Sequence, residues 1–323
     1  MRDMKTGRPL VVLAMAALLF GLAFGAPDVH GQTPKPAAAT HARKLWDGAA
    51  AMRDIRRQLS FGPRAMGAPG HARTIAMIQA EFARLGVRTT LQTWSEPTAG
   101  GPIQLTNIIA RFDPDNPHRM ILGTHYDSII RAYADPHDPR AIMPGANNSA
   151  SGVALLLETA RALRRNPAPV GVDFIFFDGE EGPLSLGAGD PHWYALGSPH
   201  FVKTLSGFYP RGAPAQAVIF DMVCYRAAKL PPEAASLANA PDDVHRFWAI
   251  GHARAPSVFV DDGRYWNISD DHTAFQALHI PSFLVIGFQY APYFNTTADT
   301  IDKCSPDTLE AVGDTVMTYI HTR

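Results

Sequence analysis

Four apolar runs, each closed by polar groups, constrain this chain more than any other feature of its sequence. They are "HRMILGTH" (118–125), "VDFIFFDGEE" (172–181), "AQAVIFDMV" (215–223) and "IPSFLVIG" (280–287). Their apolar character is nearly continuous, where a half-buried strand would alternate. Strands of that kind are buried on both faces, which happens when helices cover both sides of a parallel sheet. Helical periodicity falls between them. Val153, Leu156, Leu157, Ala160 and Leu163 share one face of a helix predicted over 149–165. Further helices are predicted over 242–254, 271–278 and 306–320. Upstream, one helix is predicted from near Ala42, and a second carries Ile75, Ile78, Phe82 and Leu85 at helical spacing, with Gly86 as its stop. "VRTTLQTW" and "QLTNIIARF" read as strands. The expected fold class is therefore α/β: a sandwich with a mostly parallel central sheet, formed by a single domain over 42–323.

In such sheets a ligand sits outside the carboxyl ends of the strands. His125 and Asp127 follow the first run, Glu180 and Glu181 the second, and Asp221 closes the third, while Asn295 lies in "PYFNTTADT" just beyond the fourth. A histidine and an aspartate two apart can act as metal ligand and as the acid that fixes the ring tautomer. Paired glutamates let one bind zinc while the other takes a proton from bound water. Asp221 offers a further oxygen. There is no G-x-S-x-G elbow, phosphate-binding glycine loop or helical H-E-x-x-H. Metal-assisted attack on an amide is the chemistry this set suits best. Trp193, Tyr194, Tyr290, Tyr293 and Phe294 either shape an apolar substrate pocket or pack as core and rim. His272 reads as a hydrogen-bonding neighbour of the site, and His137 as part of a solvated loop or a lid.

Arg2, Lys5 and Arg8 precede an apolar stretch over 10–26, followed by small residues. This is the layout of a secretory signal peptide (1–31), with "QTPKPAAAT" as a linker (32–41) and export to the periplasm or outside the cell as the consequence. Net charge is −1, with basic residues thinly spread, so composition offers no case for nucleic acid or, once the signal is removed, a membrane. Cys224 and Cys304 either pair or stand as two buried thiols.

Together "GTHYDS", "PGANNSASGVALLLETARAL", "FIFFDGEEG", "SDDHTAF" and "NTTADTIDK" resemble, in order and spacing, metallopeptidase family twenty-eight, the co-catalytic zinc aminopeptidases. "LTNIIARFDPDNPHRMILGTHYDS", and "FFDGEEG" followed by "LGSPHFV", are most similar to its glutaminyl cyclase (glutaminyl-peptide cyclotransferase) branch. The resemblance covers roughly 42 to the end of the chain. It implies a three-layer sandwich of the zinc-peptidase (phosphorylase/hydrolase-like) type and activity on peptide N-termini, by amide hydrolysis or cyclisation of N-terminal glutamine. His125 would bind the first zinc with Asp221, and Asp127 would orient the histidine. Glu181 would bind the second zinc, and Glu180 would be the general base. In the cyclase branch only the second zinc is kept, and Glu180, Asp221 and Asp270 would handle protons and hold the substrate amine.

The family's bridging aspartate falls on Asn148 and its last histidine ligand on Asn295. An amide oxygen carries no charge and is a poor zinc ligand. The resemblance therefore implies an incomplete site with one zinc or none. Asn148 could instead cap the helix that follows, and Asn295 could sit in a turn with Thr296 and Thr297. Two readings stand side by side: an enzyme with a reduced metal set, and a metal-deficient pseudoenzyme that binds peptides. The second makes a chemical demand, since clustered acids without a cation must keep some of their protons at neutral pH.

Overall fold

The computed structural model describes residues 46–98, 101–182 and 193–323. The expected signal peptide (1–31) and linker (32–41) lie outside the described residues. Six strands form one sheet: β1 (Thr89–Glu96), β2 (Ile103–Phe112), β3 (Arg119–His125), β4 (Gly171–Phe177), β5 (Gln216–Asp221) and β6 (Ser282–Ile286), in the order β1-β2-β4-β3-β5-β6. The four apolar runs are β3 to β6. They pair in parallel as β4–β3–β5–β6, while β1 and β2 add an antiparallel edge.

The continuous apolar character now has its cause. Phe174 and Phe176 of β4 face one core and Ile175 and Phe177 the other. Val218 and Phe220 alternate in the same way with Ala217 and Ile219 on β5, as do Phe283 and Val285 with Leu284 and Ile286 on β6. Period two with both faces covered leaves no polar position in the run. One exception is Asp173, fully buried, whose carboxylate accepts from Arg111 Nε (3.1 Å), Tyr209 Oη (2.7 Å) and the Arg119 guanidinium.

The larger core lies under α1 (Gly48–Leu59), α2 (Pro69–Arg84), α3 (Ala150–Arg165), α7 (Pro241–Arg254) and α9 (Pro306–His321). The other face is covered by α4 (Gly197–Lys203), α5 (Leu205–Phe208) and α8 (His272–Gln276), while α6 (Ala234–Asn239) packs against β6 and α7. The helix expected from near Ala42 begins at Gly48, because the Asp47 carboxylate accepts from Ala49 N and fixes the start there. Three short helices, α4 to α6, were not legible as periodic segments. Gly86 ends α2 as expected, at φ +72°. Gly152 lets the first turn of α3 lie against β3, since a Cβ there would overlap the Thr124 hydroxyl. Cys224 and Cys304 form a disulfide, which ties the exit of β5 to the segment before α9. Among the described residues no helix is long and apolar enough to cross a membrane.

Candidate metal and peptide site

Parallel pairing places the carboxyl ends of β4, β3 and β5 side by side, with His125 opposite Phe177 in the register. His125 therefore stands between the acids that leave β4 and the one that ends β5. Its Nε2 lies 3.2 Å from Asp221 Oδ1; its Nδ1 lies 3.4 Å from Asp127 Oδ1 and 3.8 Å from Glu180 Oε2. Ligand atoms of His125, Glu180 and Glu181 all fall within 4.8 Å of one another. The Asp127 carboxylate also accepts the backbone N–H groups of Glu180 (3.1 Å) and Glu181 (3.2 Å), so one buried acid fixes the turn after β4 and lies beside the imidazole.

The two asparagines meet. Asn148 Nδ2 donates to Glu181 Oε1 at 2.8 Å and to Asn295 Oδ1 at 3.3 Å, and Asn295 Nδ2 donates to the Tyr133 hydroxyl at 2.9 Å. Asn148 does not cap α3. The N-cap is Ser149, and its hydroxyl is spent on Asp127 O (2.6 Å) rather than on the helix. Asn295 does sit in a turn, at φ +53°, a conformation asparagine tolerates better than most residues. Its side chain nevertheless bridges Asn148 and Tyr133. One amide hydrogen of Asn148 thus engages Glu181 Oε1 and another Asn295 Oδ1.

The other sequence-selected residues divide. Glu180, Glu181, Asp221, Asp270, Asn148 and Phe294 line one small cavity. Trp193 and Tyr194 line the neighbouring cleft, which shares Asp270 and Ser269 with it. Tyr293 is outside that cavity wall, its ring 5.9 Å from Tyr225 and 5.5 Å from Tyr290. Tyr290 is core, and its hydroxyl donates to Asp299 (2.7 Å). His272 turns away to Glu233, 3.3 Å off, and His137 is an exposed loop residue.

Sequence reasoning missed three supports. Asp299 accepts from the backbone N–H groups of Asn147 (2.8 Å) and Asn148 (3.1 Å), which holds the loop before α3 in place. Arg64, in the "SFGPRAMGAPG" loop, is fully buried and donates to the carbonyls of Pro144 (3.1 Å) and Gly145 (2.6 Å). Tyr133 secures Asn295. The acid within "NTTADT" and the lone basic residue in a Gly/Pro-rich loop were the available signals for the first two.

The family model described as Peptidase family M28 matches residues 107–320, which include every residue of this cluster. The chain belongs to peptidase family M28. It is 25% identical over 270 residues to the glutaminyl-peptide cyclotransferase-like protein of Bos taurus, covering 76% of this chain and 68% of that one. Another curated relative, 38% identical over 112 residues, is spanned over only 32% of its length. Among solved structures, Fimbriiglobus ruber glutaminyl cyclase superposes with a TM-score of 0.79 at 28% identity, over 91% of this chain and 100% of that one. A Zn-dependent exopeptidase from Parabacteroides distasonis gives 0.79 at 27% identity, over 86% and 99%. The α/β sandwich and the kinship expected from the sequence both hold.

The residues of this M28 chain include donors that suit zinc: ligand atoms of His125, Glu180 and Glu181 cluster, and Asp221 lies against the imidazole. Two ligands at ordinary zinc distances stand about 3.3 Å apart in a tetrahedral site, close to the His125–Asp221 separation of 3.2 Å. Asn148 Oδ1 is buried without a hydrogen-bond partner in the same cavity wall as Asp221. On the other side Glu181 is already hydrogen-bonded to an amide, and Asn295 offers no imidazole.

Electrostatics show what the acids do without a metal. Burial pushes Glu181 up to about 8, against His125 and with Asp127 and Asp221 adding to the rise. Burial and the charge of Asp221 push Asp270 to about 6. Glu180 stands well above the usual carboxylate range because of burial, only partly offset by His125. For His125 burial opposes the charge, but Glu180, Asp127 and Asp221 outweigh it and raise the imidazole. Burial thus favours the protonated forms of Glu180 and Glu181 in the absence of a metal.

A pH dependence follows. Carboxyls with raised folded pKa hold more protons folded than unfolded between their ordinary values and the raised ones. Over that window stability falls as pH rises. His125 acts in the same direction, its contribution being lost as pH climbs through its raised value. Metal-free protein should therefore be less stable at about pH 8 than at about pH 5, by roughly 2 kcal/mol or more. Urea unfolding in chelator at the two pH values measures this. Equal stability would mean the acids are not desolvated as the structure has them.

Proposed function

We propose that this chain is an exported enzyme of the M28 family that acts on the N-terminal residue of peptides with at most one zinc. The observation that carries the reading is the cavity floor of Glu180, Asp221 and Asp270 beside the ring of Phe294. A peptide's α-ammonium supplies the positive charge those acids lack, and its first side chain meets the apolar wall. His125 and Asp221 would hold the zinc, with Asn148 Oδ1 as a third donor. Bound there, the ion supplies Lewis acidity toward the reacting amide.

The chain's own groups move the protons. Glu180 sits at the cavity wall with a raised affinity for a proton, which suits a group that accepts one and returns it. In hydrolysis the proton comes from the attacking water and goes to the leaving amine. In cyclisation it comes from the substrate's α-amine as that nitrogen bonds to the γ-carbonyl carbon, and it leaves with ammonia. Asp270 holds the amine, and Asp127 lies beside the His125 ring to orient it. Residues 1–31 serve as the export signal, 32–41 as a linker and 42–323 as the catalytic domain. The Cys224–Cys304 disulfide accords with a periplasmic or extracellular location.

A second reading, a peptide-binding protein without turnover, is favoured by the Asn148–Glu181–Asn295 hydrogen bonds. Incubating zinc-loaded protein with glutaminyl and aminoacyl peptides separates the two. Release of ammonia marks cyclisation and release of an amino acid marks hydrolysis, and Glu180→Gln should abolish either. Binding of free but not acetylated N-termini, with neither product, would establish the second reading instead.

A further inference from the structure

The small cavity does not end at its apolar wall. Ile268, Ile286 and Phe288 form that wall on one side and line a second cavity on the other, completed by Trp266, Pro231, Pro232, Glu233 and Gln289. The rings run in series: Phe294 to Phe288 at 6.0 Å between centroids, then Phe288 to Trp266 at 5.4 Å. Trp266 is 48% exposed, unusual for a side chain of that size, while its backbone carbonyl is held by Ala234 N at 2.8 Å. Glu233, the one charged residue in the second cavity, is no acceptor for a ligand. Its carboxylate takes Ala235 N (2.8 Å), Ser236 N (2.6 Å), Ser236 Oγ (2.7 Å) and Ile268 N (3.1 Å). The shelf is therefore mainly apolar, with Gln289 as its one uncharged polar side chain, held at its base and adjoining the cavity that holds the acids.

We propose that the Phe288–Trp266 shelf is a specificity site for a flat apolar side chain, aromatic or proline, at the third position of the bound peptide. This rests on the reading that the acidic cavity takes a peptide N-terminus. Side chains two apart in an extended chain point to the same face about 7 Å apart. With the first residue against Phe294, that spacing sets the third residue on Phe288 and Trp266. The second residue points to the opposite face.

Binding, rather than turnover, tests the proposal. Calorimetric titrations would compare Gln-Ala-Phe-Ala with Gln-Ala-Ala-Ala, Gln-Phe-Ala-Ala and the N-acetylated form of the first. We expect the peptide with phenylalanine third to bind about tenfold more tightly than the all-alanine one, the fold-change of a half-buried ring. The ratio should fall toward one in Trp266→Ala and recover in Trp266→Phe, which also controls for folding. Four results overturn the proposal. If both free peptides bind equally, or the gain appears with phenylalanine second, the shelf has been misassigned while N-terminal binding stands. If the acetylated peptide binds as well as the free one, or nothing binds, the N-terminal reading fails and the shelf assignment fails with it.

Discussion

The double variant Asn148→Asp/Asn295→His should bind one more zinc per chain than the parent, with a gain in affinity of several decades at the added position. In the parent, Asn148 Nδ2 donates to Glu181 Oε1 at 2.8 Å, so the carboxylate is turned to an amide hydrogen. Aspartate at 148 removes that donor and adds a charge, and histidine at 295 replaces an amide oxygen with an imidazole nitrogen, the commoner zinc ligand. Outer partners of zinc ligands are worth about 10–100-fold each. Two direct ligands should exceed that. A cost comes with the gain. Without metal, the new carboxylate faces Glu181 across a short contact, so the variant should be less stable than the parent in chelator and more stable in zinc. A variant that takes up no additional zinc would show that something other than the two amides closes the second position.

Removing the disulfide should have the largest effect on stability. Cys224 and Cys304 are 80 residues apart, and closing a loop of that length lowers the entropy of the unfolded chain by an amount worth about 4 kcal/mol. Cys224→Ser/Cys304→Ser should therefore unfold at a markedly lower urea concentration, with the equilibrium shifted by roughly a thousandfold. Metal affinity should fall as well. Cys224 N donates to Asn147 Oδ1 at 3.0 Å, and Asn147 N donates to Asp299, so the crosslink fastens the loops that carry Asp221 and Asn148. A midpoint unchanged between oxidised and reduced protein would show that the pair carries none of this load.

Much of the architecture was legible because burial on both faces writes itself into composition. β3 to β6 were readable as unbroken apolar runs, and α3, α7 and α9 as periodic segments with recognisable ends. The short helices α4 to α6 were not, since four to seven residues carry too little periodicity to register. At the site, the acids at successive strand ends pointed to one another through topology alone. The fate of Asn148 did not. An asparagine there suits a helix cap and a partner for Glu181 equally, and only the structure shows that Ser149 takes the N-cap position. Tyr133 and Asn295 are separated by 162 positions, and no local signal joins them. The aromatics show the limit in reverse: Phe294 reached the cavity, while Tyr290 and Tyr293 were taken up by packing, because ring chemistry alone does not distinguish a wall from a core.

Counting zinc in the parent protein, by native mass spectrometry after saturation and desalting, tests the central claim most directly. One ion per chain is expected, lost in His125→Ala and retained in Asn295→Ala, because the position we propose for it is built on His125 and Asp221. Two ions in the parent, or one that survives His125→Ala, would contradict the account.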